Sequence, residues 1–65
     1  MNVTRIAPDW FDETHADKLH RGLEARFSHC YVKTSLKDDC IIISFIDGIE
    51  FNHVSNFLSG FIAAH

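Results

Sequence analysis

The run Cys40-Ile41-Ile42-Ile43-Ser44-Phe45-Ile46 constrains this chain more than any other segment. β-branched and aromatic side chains dominate it, and these pack well on a pleated strand while losing rotamer freedom in a helix. It falls far short of the ~20 apolar residues a membrane-spanning helix needs, so its side chains must find cover inside a folded domain. Side chains alternate across a strand, and a run apolar at almost every position has two faces to bury. It is therefore expected to be the best-buried strand, with Ile41, Ile43 and Phe45 toward the helices. Ile42 and Ile46, beside Val32 or Tyr31, fall on the other face.

The neighbouring segments supply a partner strand and two helices. Tyr31 to Leu36 alternates, with β-branched Val32 and Thr34, and the polar turn Lys37-Asp38-Asp39 joins it to the central run as a hairpin. With that turn centred on Asp38, Leu36 pairs with Cys40 and Cys30 with Ile46. Asp47-Gly48 ends the run. Ala16, Leu19, Leu23 and Phe27 recur at helical spacing, predicting a helix over roughly 15–27 behind a Thr14 cap with Asp17 three places on. Gly22 inside this helix costs ~1 kcal/mol against Ala, for which a close packing contact is the expected reason. A second helix opens near the N-cap candidate Asn52 and carries Val54, Phe57, Leu58, Phe61 and Ile62 on one stripe, with Phe51 just before it. Before all of these lies an arm, residues 1–14, in which Val3-Thr4-Arg5-Ile6 reads as a short edge strand closed by Pro8.

These elements describe one α+β domain over residues 1–65, ordered (β)-α-β-β-α, with both helices packed on one face of an antiparallel hairpin sheet. Two helices cover one face, so the arm, a second copy or a partner is expected over the other. With 65 residues the chain can hold one core, and its 46% apolar content, six Phe included, makes packing the source of stability. The opening Met1-Asn2-Val3-Thr4-Arg5 has neither the apolar stretch nor the small-residue cleavage site of a secretion signal, so a cytoplasmic location is expected. Two cysteines there read as free thiols, and the expected pairing sets them ~20 Å apart at ~3.4 Å per residue, beyond disulfide reach.

Catalysis and metal chemistry find little support. His15 and His20 are five apart, well off one helix face. His29 and Cys30 would point to opposite sides of a strand. No CxxC, HxxxH or HExxH spacing occurs, and three isolated glycines form no phosphate loop. The coincidences Ser28-His29-Cys30 and Asn52-His53-Ser55 offer nucleophile and base types without an orienting acid or room for a deep pocket. No enzyme activity, cofactor or metal is expected.

Charge is more informative. Asp9, Asp12, Glu13 and Asp17 form an acidic stretch around the first helix start, with Asp38 and Asp39 at one hairpin end and Asp47 and Glu50 at the other. Acids suit helix N-termini and turns for purely structural reasons. They would equally oppose a basic patch on a partner. The aromatics Trp10, Phe11 and Tyr31 are the expected contact anchors, since such residues dominate interface hot spots; Trp10 and Phe11 could instead cap the core. The candidate partner-binding set is thus Asp9, Trp10, Phe11, Asp12, Glu13, Asp17, Tyr31, Asp38 and Asp39. The six basic residues are scattered and outnumbered, against the concentrated positive charge of nucleic-acid binders, although Lys18 and Arg21 share a helix face.

From Ala16 to about Ala63 the chain resembles the α-β-β-α large polyvalent protein-associated domains of phage and conjugative-element proteins. The resemblance rests on Leu23-Glu24-Ala25-Arg26-Phe27, on Tyr31-Val32-Lys33-Thr34 and on Ile43-Ser44-Phe45-Ile46-Asp47-Gly48, with Ile49 where that family commonly has Pro. It carries over no catalytic residue. As a short, mildly acidic chain (net charge −3) it is also similar to the anti-CRISPR proteins of phages and mobile elements. That resemblance implies a stoichiometric inhibitor in the host cytoplasm, docked on a CRISPR effector subunit or similar nuclease complex and blocking its nucleic-acid or recruitment surface. The alternative is a small nucleic-acid-binding or transcription-regulating module using Lys18, Arg21, Lys33 and Lys37. A homodimer is compatible with either.

Overall fold

A computed structural model describes residues 1–28, 30–46 and 50–65. The order is β1 (Asn2–Ile6), α1 (Glu13–Arg26), β2 (Val32–Lys37), β3 (Cys40–Phe45) and α2 (Phe51–Ala63). The three strands form one antiparallel sheet in the order β1-β3-β2. This is the expected α+β arrangement, and the edge strand foreseen near the N-terminus is real. β1 pairs along its whole length with β3, placing Val3 opposite Ile43 and Arg5 opposite Ile41. Val3 joins the core, and Arg5 reaches across to α2, where its Nη1 donates to Ser59 Oγ at 2.8 Å.

The hairpin register differs from expectation by one residue. Lys37 pairs with Cys40, and Leu36 with Ile41, around a two-residue turn in which Asp38 (φ 54°) and Asp39 (φ 59°) are both left-handed. Two left-handed residues make a type I′ turn, whose twist matches that of the flanking strands, and Asp tolerates this conformation better than most non-glycine residues. A slip of one residue reverses every side chain. Leu36 consequently lies on the helix side and packs against the core. Cys30 and Cys40 are both free; Cys40 stands beside the turn, whereas Cys30 precedes the far end of β2.

The central strand is the best buried of the three, as expected, but its second face is not covered. Along β3 burial alternates: Ile41, Ile43 and Phe45 are buried, while Cys40, Ile42 and Ser44 are half-buried. The arm does not cover the second face but widens it. Thr4 and Ser35 lie directly opposite Ile42 on its two sides and shield it laterally. Asn2, Lys33, Lys37 and Ser44 share that face, and so do half-buried Cys40 and the exposed Ile6 at the turn end.

Both helices lie across the other face. α1 starts earlier than its periodicity suggests and is capped by Asp12, not Thr14: extended Asp12 accepts the His15 backbone N–H on Oδ1 at 3.0 Å. Phe11 before the cap and Ala16 after it are both buried, the positions of a hydrophobic staple that sets where the helix begins. α2 likewise starts ahead of Asn52, at Phe51, with Glu50 in the cap position and no side-chain cap bond. The second strand runs one residue later than expected, from Val32, and the third ends at Phe45. The expected stop at Asp47-Gly48, and Ile49, lie outside the described residues, as does His29. At the centre, Leu19, Leu23, Ile41, Ile43, Val54 and Leu58 are fully buried.

Gly22 has the packing role its position implied. A Cβ there would stand 2.7 Å from Phe57 Cζ, so the glycine lets α2 approach α1. Arg26 covers the same ring, its guanidinium carbon 5.1 Å from the Phe57 centroid.

Two stability measurements check this reading. Gly22→Ala should lose stability in urea unfolding, because the Phe57 contact outweighs helix propensity. In a Phe57→Ala background the same change should instead gain about 1 kcal/mol, the ordinary Ala-over-Gly preference. Asp39→Gly should raise the unfolding midpoint by up to about 1 kcal/mol, by relieving a left-handed non-glycine residue.

Candidate functional site

The sheet topology gathers carboxylates that the chain spreads over thirty positions. β1 runs antiparallel to β3, so its last residues arrive beside the hairpin turn, and the Ala7 N–H donates to the Asp39 carbonyl at 2.7 Å. From there the chain passes Pro8 and Asp9, turns at Trp10 and enters α1. Asp9 is thereby brought to the end of the sheet that carries Asp38 and Asp39, Asp12, Glu13 and Asp17 come after it, and all six side chains are exposed. Asp9 follows two residues after the bond that ties Ala7 to the turn, while Glu13 and Asp17 stand farther along, beside Thr34 of β2. Asp17 is engaged with Arg21, whose Nε lies 3.0 Å from it.

An aromatic cluster sits among these acids, built from both ends of the chain. α2 runs back toward the start of α1 and delivers Phe61 and His65 there. Trp10 stacks on His65 (centroids 5.3 Å, interplanar angle 16°) and takes His15 edge-on at 5.1 Å. The two imidazoles are 5.4 Å apart, nearly perpendicular. His15 Nδ1 donates to Asp12 Oδ1 at 2.8 Å, and His65 Nδ1 donates to the Phe61 carbonyl at 2.7 Å. Trp10 keeps 37% of its surface exposed. Phe11 is different: only 6% exposed, it is a core residue that supports the cluster from below, with Phe61 edge-on at 6.3 Å.

The remaining candidates lie elsewhere. Tyr31 is exposed just before β2, at the opposite end of that strand from the turn, so the structure does not bring it to the acidic end. Glu50 pairs with His53 at 3.4 Å at the start of α2. Lys18 and Arg21 are exposed on α1, across the sheet from Lys33 and Lys37, so these four bases do not share a surface. Two concavities accompany α1. A groove of about 840 Å³ is lined by Arg26, Phe27, Phe57 and Phe61 among others. A smaller cleft is formed by Glu13, Ala16, Asp17, His20 and Thr34, where His20 Nδ1 and Thr34 Oγ1 are buried without a hydrogen-bond partner. Among the described residues no group of three His, Cys, Asp or Glu side chains is placed to hold a metal ion, and no helix is long and apolar enough to cross a membrane.

The sequence reading missed His15 and His65 as part of the cluster. They are fifty positions apart, and no spacing rule links them; only the return of α2 to the start of α1 does. No family model, curated protein or solved structure matches the chain.

The Asp12 carboxyl is held below its ordinary range, first by the His15 backbone N–H and then by the His15 side chain. A lowered folded-state value means the cap stabilises above the ordinary carboxylate range and loses its effect as acid protonates it. Asp12→Asn should keep most of the capping while removing this titration. The stability difference between the two proteins should therefore shrink or reverse as pH is lowered through the carboxylate range in urea unfolding. A difference constant with pH would refute the assignment.

Proposed function

We propose that this domain binds another protein by its acidic end, with Trp10 as the anchor and Asp9, Asp12, Glu13, Asp17, Asp38 and Asp39 as the surrounding charge. The supporting observation is a partly exposed tryptophan already held by two rings, flanked in the chain by exposed Asp9, Asp12 and Glu13, with Asp38 and Asp39 at the turn to which Ala7 is bonded. An aromatic held in one orientation loses little freedom on docking, and a rim of one charge sign steers a partner of the other. The fitting partner presents a basic surface with an apolar pocket. A protein surface that normally holds nucleic acid has that charge, so occupying it would exclude the nucleic acid. This is the action of an anti-CRISPR-like inhibitor encoded by a phage or mobile element, and the domain acts by occupancy, without catalysis.

A second reading has one observation in its favour. The open sheet face carries Lys33 and Lys37 and, among the described strand residues, no carboxylate. A nucleic-acid-binding module would use that face.

Immobilised domain exposed to nuclease-treated host lysate should retain a nucleic-acid-binding effector subunit. With that subunit purified, Asp9→Asn, Asp12→Asn and Asp17→Asn together should slow association roughly tenfold at low salt and flatten its salt dependence. Trp10→Ala should cost about 2 kcal/mol of affinity, mainly through faster dissociation. Association unchanged at low salt would sink the acidic-contact reading. Affinity for oligonucleotides alone, falling steeply with salt and abolished by changing Lys33 and Lys37, would establish the second reading instead.

A further inference from the structure

We infer that His15 and His65 make the Trp10 surface pH-sensitive, so that docking at the acidic end weakens as the medium acidifies. The consequence for docking rests on the function proposed above; the switch itself rests on the geometry of the ring cluster.

Both imidazoles donate from Nδ1, to Asp12 Oδ1 and to the Phe61 carbonyl, and both acceptors lack a proton to give back. Each ring therefore carries its lone pair on Nε2, where a proton adds without breaking either bond. Protonation leaves both Nδ1 hydrogen bonds in place and changes the charge of the cluster. Two cations then stand 5.4 Å apart in contact with one indole. Several groups hold them there. Asp12 pairs with the first at 2.8 Å. The second sits past the end of α2, where the last carbonyls attract positive charge. The Trp10 face attracts a cation stacked upon it.

The other charged groups at this end are Asp9 and Glu13 beside Asp12, Asp17 tied to Arg21, Lys18 one turn beyond His15, and Lys37, Asp38 and Asp39 at the hairpin turn. β1 contributes Arg5, bonded to Ser59 of α2, and the last turns of α2 bring no titratable side chain besides His65. The acidic end thus carries six carboxylates, one of them already paired with Arg21, and two protonated imidazoles add two positive charges at the anchor residue itself. Imidazole is the side chain that titrates between about pH 5 and 8.

Trp10 is the chain's only tryptophan, so its fluorescence reports this cluster alone. A protonated imidazole in contact quenches indole emission, whereas a neutral one does so weakly. Emission of the intact protein should fall on acidification, with far-UV circular dichroism unchanged. His15→Gln and His65→Gln should each remove part of the loss, and the double variant should be flat. Flat emission in the unsubstituted protein, or an unchanged curve in the double variant, overturns the switch. A decalysine peptide serves as the docking probe: its affinity should fall roughly fivefold between pH 7.5 and 5.5, the effect of two rim charges, and not in the double variant. A fluorescence change with no decalysine binding at either pH would sink the docking reading and leave the titrating cluster standing. Equal decalysine affinity at both pH values would overturn the proposed consequence.

Discussion

The pairing of β1 with β3 is the interaction on which the other features depend. Without it the hairpin would be a two-stranded ribbon, which is marginal in water. With it, β3 becomes a central strand bonded on both sides, and Val3 and Arg5 extend the surface beneath the helices. The same pairing fixes the direction of the chain leaving Ile6. Ala7 is bonded to the hairpin turn, and the acidic segment that follows has to begin at that end of the sheet.

Packing and the candidate site meet at the junction of the two helices. Gly22 admits the Phe57 ring, α2 lies close against α1, and its final turn reaches Trp10 and His15. Phe11 links the two levels: buried beneath the cluster, it staples the start of α1, while its neighbour Trp10 faces outward. Trp10 is held in place by its ring contacts with Phe11, His15 and His65. Rigid support of that kind is what lets a single aromatic contribute strongly to binding.

Much of the architecture was legible beforehand, because periodicity reports directly on burial. The alternation at Ile41, Ile43 and Phe45, the stripes through Leu19 and Leu23 and through Val54 and Leu58, and the edge strand at Val3–Ile6 all correspond to observed elements. Boundaries were less legible. Thr14 and Asn52 are good cap residues, yet the buried Phe11 moves the start of α1 to Asp12, and α2 starts with no side-chain cap at all. The hairpin register was missed because an Asp-Asp turn has no glycine to mark its left-handed positions.

The candidate site divides in the same way. By itself the sequence determined the fold class, the helix-facing residues of the central strand, and the presence of acidic and aromatic residues near the start of α1, since each depends on residue type and local spacing. Only the tertiary structure decided that Asp38 and Asp39 join that acidic end while Tyr31 does not, that Phe11 is core and Trp10 is surface, and that His65 stacks on Trp10. Those relations join positions up to fifty-five residues apart, set by strand pairing and helix packing. Local patterns carry no record of them, because they are satisfied only when the whole core closes.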